Sequence, residues 1–88
     1  MRIRKIKITL DVQEKIFKKH NLRREEIEGV FFDEPLYFHT KDKRYMAIGF
    51  IDKYVTVVFY YEGDAVVITA YESSKWQRNL YNVKRWKK

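Results

Sequence analysis

From Leu36 to Glu72 the sequence alternates with a period of two. The segments Leu36–Thr40, Arg44–Ile51, Tyr54–Glu62 and Asp64–Glu72 are rich in β-branched and aromatic residues and read as strands. The joints between them are Lys41-Asp42-Lys43, Asp52-Lys53 and Glu62-Gly63-Asp64. Joints this short allow only antiparallel neighbours, since a parallel return needs a long crossover. The segment is therefore expected to be a four-stranded meander, and everything else in the chain must pack against that sheet.

The flanking segments read as helices and one further strand. Ile6, Ile8 and Leu10 alternate with Lys5, Lys7 and Thr9, the pattern of a short strand with one buried face. Asp11-Val12-Gln13-Glu14 has the form of a capping box, with Asp11 as N-cap, so a helix is expected to about Lys19 with Val12, Ile16 and Phe17 as its apolar stripe. Asn21 breaks this helix and is placed to cap the next, in which Ile27, Val30 and Phe31 face the core. Asp33-Glu34-Pro35 stops that helix, because the residue before a proline is pushed out of helical geometry. Ser73 or Ser74 caps a last helix, with Trp76, Leu80 and Val83 along one side. The fold class is α+β, of order β-α-α-β-β-β-β-α: an antiparallel meander with two N-terminal helices and one C-terminal helix, all expected on one sheet face. With 88 residues, 45% of them hydrophobic, residues 1–88 form a single domain.

Strand parity assigns the faces. Val66, Ile68 and Ala70 are expected to share one face, with Val67, Thr69 and Tyr71 on the other; Val55, Val57, Phe59 and Tyr61 oppose Tyr54, Thr56, Val58 and Tyr60. The second face thus mixes tyrosine and threonine with apolar residues. Tyrosines on a sheet beside cations can stack nucleic-acid bases, and tyrosine is equally a good strand former at half-buried positions.

Composition removes several chemistries and favours one class of partner. No cysteine is present, which excludes disulfides and thiolate metal sites, and two histidines, His20 and His39, support no histidine-based zinc site. No metal or other cofactor is expected. The N-terminus has no apolar run suited to a signal peptide or membrane span, so the expected compartment is the cytoplasm, with no membrane partner. The net charge of +7 is concentrated at the ends: Arg2, Arg4, Lys5 and Lys7 in residues 1–7, and Lys75, Arg78, Lys84, Arg85, Lys87 and Lys88 in residues 73–88, with no acid in either segment. Such a field favours a polyanion, either nucleic acid or an acidic protein. Terminal lysines also serve plain solubility.

Two stretches carry a family resemblance. One is Lys19-His20-Asn21-Leu22, then Glu25-Glu26-Ile27-Glu28-Gly29-Val30-Phe31 and Asp33-Glu34-Pro35; the other runs from Arg44-Tyr45 through Ile48-Gly49 to Val66-Val67-Ile68-Thr69-Ala70-Tyr71-Glu72-Ser73-Ser74-Lys75 and ends at Tyr81. Together, over about residues 16–81, they resemble the BrnT ribonuclease toxins of type II toxin–antitoxin systems. The likeness is closer still to a sister family of small proteins with a Val-Ile-Thr-Ala-Tyr strand; both are grouped by fold with the RelE-like toxins. The resemblance implies a metal-independent endoribonuclease acting on RNA and neutralised by an acidic antitoxin. It sets the family's Lys-His pair on Lys19 and His20 and its strand-opening arginine on Arg44. Where BrnT sequences have Ser-Ala-Arg-Lys in the last strand, this chain has Thr69-Ala70-Tyr71-Glu72, and the next cations are Lys75 and Arg78.

Metal-free RNA cleavage activates a ribose 2′-hydroxyl, stabilises charge on the phosphate and protonates the leaving oxygen. His20 suits proton transfer, Arg44 and Lys75 suit phosphate clamping, and Tyr71 suits stacking or proton donation. Lys19 and Arg78, with Tyr60 and Tyr81, complete the expected RNA contacts. Each of these has a simpler explanation. A cation at His20 would be stabilised by a helix C-terminus, Arg44 beside a turn would discourage strand association, and His39 would sit on a strand surface. Asp33 and Glu34 belong to a helix-ending turn. No phosphate-cradling glycine loop or nucleophile motif is present. A non-catalytic nucleic-acid binder and a module that only docks an acidic protein therefore stand beside the ribonuclease reading.

Overall fold

The strands form where the alternation sets them. The computed structural model describes residues 1–86, with side chains as far as Lys84. Its elements are β1 (Ile6–Lys7), α1 (Leu10–His20), α2 (Arg24–Phe32), β2 (Leu36–Lys41), β3 (Arg44–Phe50), β4 (Tyr54–Glu62), β5 (Asp64–Glu72) and α3 (Lys75–Trp86). Lys87 and Lys88 of the basic C-terminal run lie outside the described residues. The α+β order matches the expectation, and β2 to β5 pair successively antiparallel. The sheet has five strands in the order β1-β5-β4-β3-β2, because β1 joins it in parallel beside β5. The Arg4 N–H donates to the Gly63 carbonyl at 2.9 Å and the Ala65 N–H to the Lys5 carbonyl at 2.8 Å, so the N-terminal segment is held at the β4–β5 turn. Gly63 makes that turn with φ of 82°, a conformation that costs a residue with a Cβ more than it costs glycine.

The core lies between one sheet face and the first two helices. Ile16, Leu22, Ile27 and Val30 pack on Val55, Val57, Phe59, Ala65, Val67 and Ala70. Phe59 is fully buried, with the rings of Phe31, Tyr45 and Tyr37 at centroid distances of 5.2, 6.0 and 6.1 Å.

The expectation that all helices cover one face is corrected. Gln77 of α3 contacts Thr56 and Met46, and Tyr81 packs edge-on against Tyr54, all side chains that alternate with the core-facing set. The second face carries Met46 and Ile48, too apolar to leave in water, and α3 buries them to 6% and 0% exposure. The sheet is thus covered on both faces, with α3 alone on the second.

Four local expectations also change. Thr9, not Asp11, is the N-cap of α1; its Oγ1 accepts from the Val12 N–H at 3.3 Å. A threonine in extended geometry one residue before the helix meets the orphan amide as well as aspartate would. Asn21 ends α1 in left-handed geometry (φ 55°), but the N-cap of α2 is Arg23, whose N–H donates to the Glu26 carboxylate at 2.8 Å. That bond, aided by Lys53, holds the Glu26 carboxyl below the usual carboxylate range. On α3 the buried side is Gln77 and Tyr81 with Leu80, while Trp76 and Val83 are 53% and 50% exposed. Finally, β5 bulges: Val58 faces Thr69 whereas Phe59 faces Val67, leaving Ile68 as an extra residue. The bulge puts Ala65, Val67 and Ala70 toward the core and Val66, Thr69 and Tyr71 on the second face, a regrouping that strict alternation could not foresee.

Candidate functional site

The second face is half covered and half open. Register places Lys7, Val66, Tyr60, Arg44 and Lys41 in one row across the five strands, all on this face. The row lies beyond the part that α3 covers, and Tyr60, Val66 and the nearby Ile68 are 38–39% exposed. Lys7 is paired with Asp64 at 3.1 Å. Arg44 and Lys41 make no ion pair among the described residues. At the adjoining turn Lys43 pairs with Glu62, which raises the ammonium pKa and lowers that of the carboxyl. This half of the face is a shallow platform of a tyrosine ring, aliphatic surface and two free cations, the mixture that fits a single-stranded nucleic acid.

A second cluster forms where α1 ends. Asn21 stops α1 by turning left-handed, its N–H donating to the Phe17 carbonyl at 2.9 Å, and so fixes His20 as the last helical residue. Among the described residues β1 covers only Ala65 and Val66 of β5, and the outer edge of β5 beyond Val66 has no strand neighbour there. Round that edge the His20 ring meets Tyr71 at a centroid distance of 6.0 Å. Tyr71 pairs with Thr56 in the ladder and points to the second face. Its hydroxyl accepts from Gln77 Nε2 at 2.9 Å, and Gln77 belongs to a buried polar set with Thr56 and Ser73.

The residues singled out from sequence fall into two groups. His20 and Tyr71 are brought together, with Lys19 next in the chain. Lys75 and Arg78 are exposed on the first turn of α3. Trp76 leans on Phe38 of β2 with rings 6.2 Å apart, and helical spacing puts Arg78 on the opposite flank, toward β5 and Tyr71. Arg44 and Tyr60 are ladder partners at the other end of the sheet. Tyr71 faces Thr56, four residues along β4 from Tyr60, so Arg44 stands roughly 13 Å along the strands and roughly 10 Å across them from Tyr71. The expected single constellation of His20, Arg44, Tyr71 and Lys75 is therefore split. Tyr81 was expected to contact RNA, but it is 6% exposed against Tyr54 and leaves no ring face for a base. His39 lies against Tyr45, with its Nε2 bonded to the Asp42 carbonyl.

Sequence reasoning missed Gln77, Thr56 and Ser73. One signal was available: Ser74-Lys75-Trp76-Gln77 has the form of a capping box, and the Gln77 side chain does reach back to the Ser74 N–H at 2.9 Å. Among the described residues no group of three His, Asp or Glu side chains could hold a metal ion, and no helix is long and apolar enough to cross a membrane.

Comparison with known proteins gives a class. The crystal structure of the Brucella abortus ribonuclease toxin, BrnT, superposes with a TM-score of 0.68 at 27% sequence identity, covering 81% of this chain and 97% of that one. No protein-family model and no curated protein matches the sequence. The chain has a BrnT-like toxin fold.

Proposed function

We propose that the chain is a metal-independent endoribonuclease of the toxin type, acting on RNA and neutralised by an acidic antitoxin. The observation that carries the proposal is the meeting of His20 and Tyr71 beside a cationic helix start, on a fold shared with a ribonuclease toxin. An imidazole nitrogen can accept a proton and a phenol can donate one, so the pair offers a base and an acid. In the proposed step His20 removes the proton of a ribose 2′-hydroxyl, whose oxygen attacks the adjacent phosphorus. The bond from phosphorus to the 5′-oxygen breaks, and Tyr71 gives that oxygen its proton. A 2′,3′-cyclic phosphate and a free 5′-hydroxyl result. Lys19, Lys75 and Arg78 oppose the charge gathering on the phosphate, and Arg44 with Tyr60 grips the strand further along. Mass spectrometry of cleaved oligonucleotide ends tests this chemistry. Cyclic phosphate ends are expected; 3′-hydroxyl ends with 5′-phosphates would refute it.

The open row of Lys41, Arg44 and Tyr60, set apart from His20 and Tyr71, favours one alternative: a binder that holds RNA without cutting it. Salt-sensitive binding with intact RNA is its signature. A module that docks only an acidic protein would instead show no RNA affinity.

A further inference from the structure

We infer that Gln77 is a positioning residue that fixes the direction of the Tyr71 hydroxyl proton; the inference rests on the ribonuclease reading for its catalytic meaning. The Gln77 amide has one possible orientation. Its Oε1 lies 2.9 Å from the Ser74 backbone N–H, a group that only donates, so the oxygen and not the NH2 must face it. The same oxygen accepts from the Thr56 hydroxyl at 3.1 Å. Thr56 Oγ1 and Ser73 Oγ are 2.7 Å apart, and since the one Thr56 proton goes to Gln77, Ser73 donates to Thr56. The amide NH2 is thereby turned to the Tyr71 oxygen at 2.9 Å and to Met46 Sδ at 3.4 Å.

Tyr71 is left with its oxygen occupied as an acceptor and its single proton directed elsewhere. The hydroxyl donates to none of the described residues, and the neighbouring ring is that of His20. The proton is held ready for an oxygen of a substrate that reaches the edges of both rings. The Oε1 end serves the helix by capping the Ser74 N–H, but anchoring α3 would not require the NH2 end to meet Tyr71. Gln77 and Thr56 are 2% and 0% exposed, and at such positions a methionine or valine of similar size would anchor the helix without any polar group to desolvate. Every buried polar side-chain atom among the described residues nonetheless has a partner, so the network is complete and directional, ending at Tyr71.

The test is a mutant cycle with a spectroscopic readout. Gln77→Met keeps the volume and removes the amide; it should lower kcat by at least about tenfold with KM little changed. In a Tyr71→Phe background the same substitution should have no further effect, because the group it positions is gone. Thr56→Val, which removes one of the two donors to the amide oxygen and leaves the Ser74 N–H in place, should lower kcat in the same direction by a smaller factor and also only while Tyr71 keeps its hydroxyl; it keeps the test readable if Gln77→Met folds poorly. The ζ-carbon signal of Tyr71 in 13C-tyrosine-labelled protein should move on Gln77→Met and stay in place on Phe32→Ala. Equal losses with and without the Tyr71 hydroxyl, or an unmoved Tyr71 signal, overturn the inference. Absence of cleavage by the wild-type protein overturns the ribonuclease reading instead, and the Tyr71 signal then decides the Gln77–Tyr71 geometry by itself.

Discussion

Removing the Phe59 ring should cost a large share of the stability of this fold. Phe59 is fully buried at the centre of the first sheet face and touches three aromatic rings. A Phe→Ala change at such a site costs about 3–5 kcal/mol through lost burial and the cavity left behind. The three edge-on and stacked ring contacts set it toward the upper end, about 4 kcal/mol or more. A chain of 88 residues has, at roughly 0.05–0.15 kcal/mol per residue, only about 4–13 kcal/mol in all. At roughly 4–8 °C per kcal/mol for a domain of this size, Phe59→Ala should lower Tm by at least about 15 °C. Phe32 is the control, since it is 82% exposed at the end of α2, and Phe32→Ala should stay within about 0.5 kcal/mol of wild type. Urea denaturation followed by far-ultraviolet circular dichroism reads both. A loss below about 1.5 kcal/mol for Phe59→Ala, or equal losses for the two variants, would refute the placement of the core.

The Glu26 carboxyl is held below its ordinary range by the Arg23 N–H and then by Lys53, so its contribution is present above the unfolded-state carboxylate pKa and is lost as pH falls through the folded value. Glu26→Gln should accordingly cost about 1 kcal/mol or less at pH 7, and urea midpoints of wild type and variant should converge in acid; a gap that persists there would contradict it. On the open platform, Tyr60→Ala should weaken single-stranded RNA binding by about 1–3 kcal/mol with the salt slope unchanged, whereas Arg44→Ala should reduce that slope by about one ion. Fluorescence anisotropy across a salt series separates the two, and identical slopes for wild type and Arg44→Ala would remove Arg44 from the interface.

Much of the fold was legible because local chemistry and global packing agree. The bounds of β4 and β5 follow from Gly63 and from Asp52-Lys53, and the α2 stop follows from Pro35. What escaped was whatever depended on the third dimension. Period two assigns faces only while the register holds, and the bulge at Ile68 put Val67 on the core face with Ala70, and Val66 on the second face with Tyr71. The apolar look of Trp76 and Val83 outweighed Gln77 in reading α3, although the helix is seated through a polar network and the ring of Tyr81. For the site, the sequence marked His20 and Tyr71 without any means of knowing that they meet. It grouped Arg44 with them although strand spacing separates it, because a strand-opening residue and a strand-closing residue lie at opposite ends of a meander's neighbouring ladders.

Rates of RNA cleavage test the joint action of His20 and Tyr71 most directly. Wild-type protein, His20→Ala and Tyr71→Phe would be incubated with an end-labelled structured RNA in the presence of a chelator. Cleavage by the wild type, reduced about 100-fold or more by each substitution while RNA binding is retained, is the predicted result. Intact RNA with the wild-type protein, or variants that cut as fast as it does, would contradict the account.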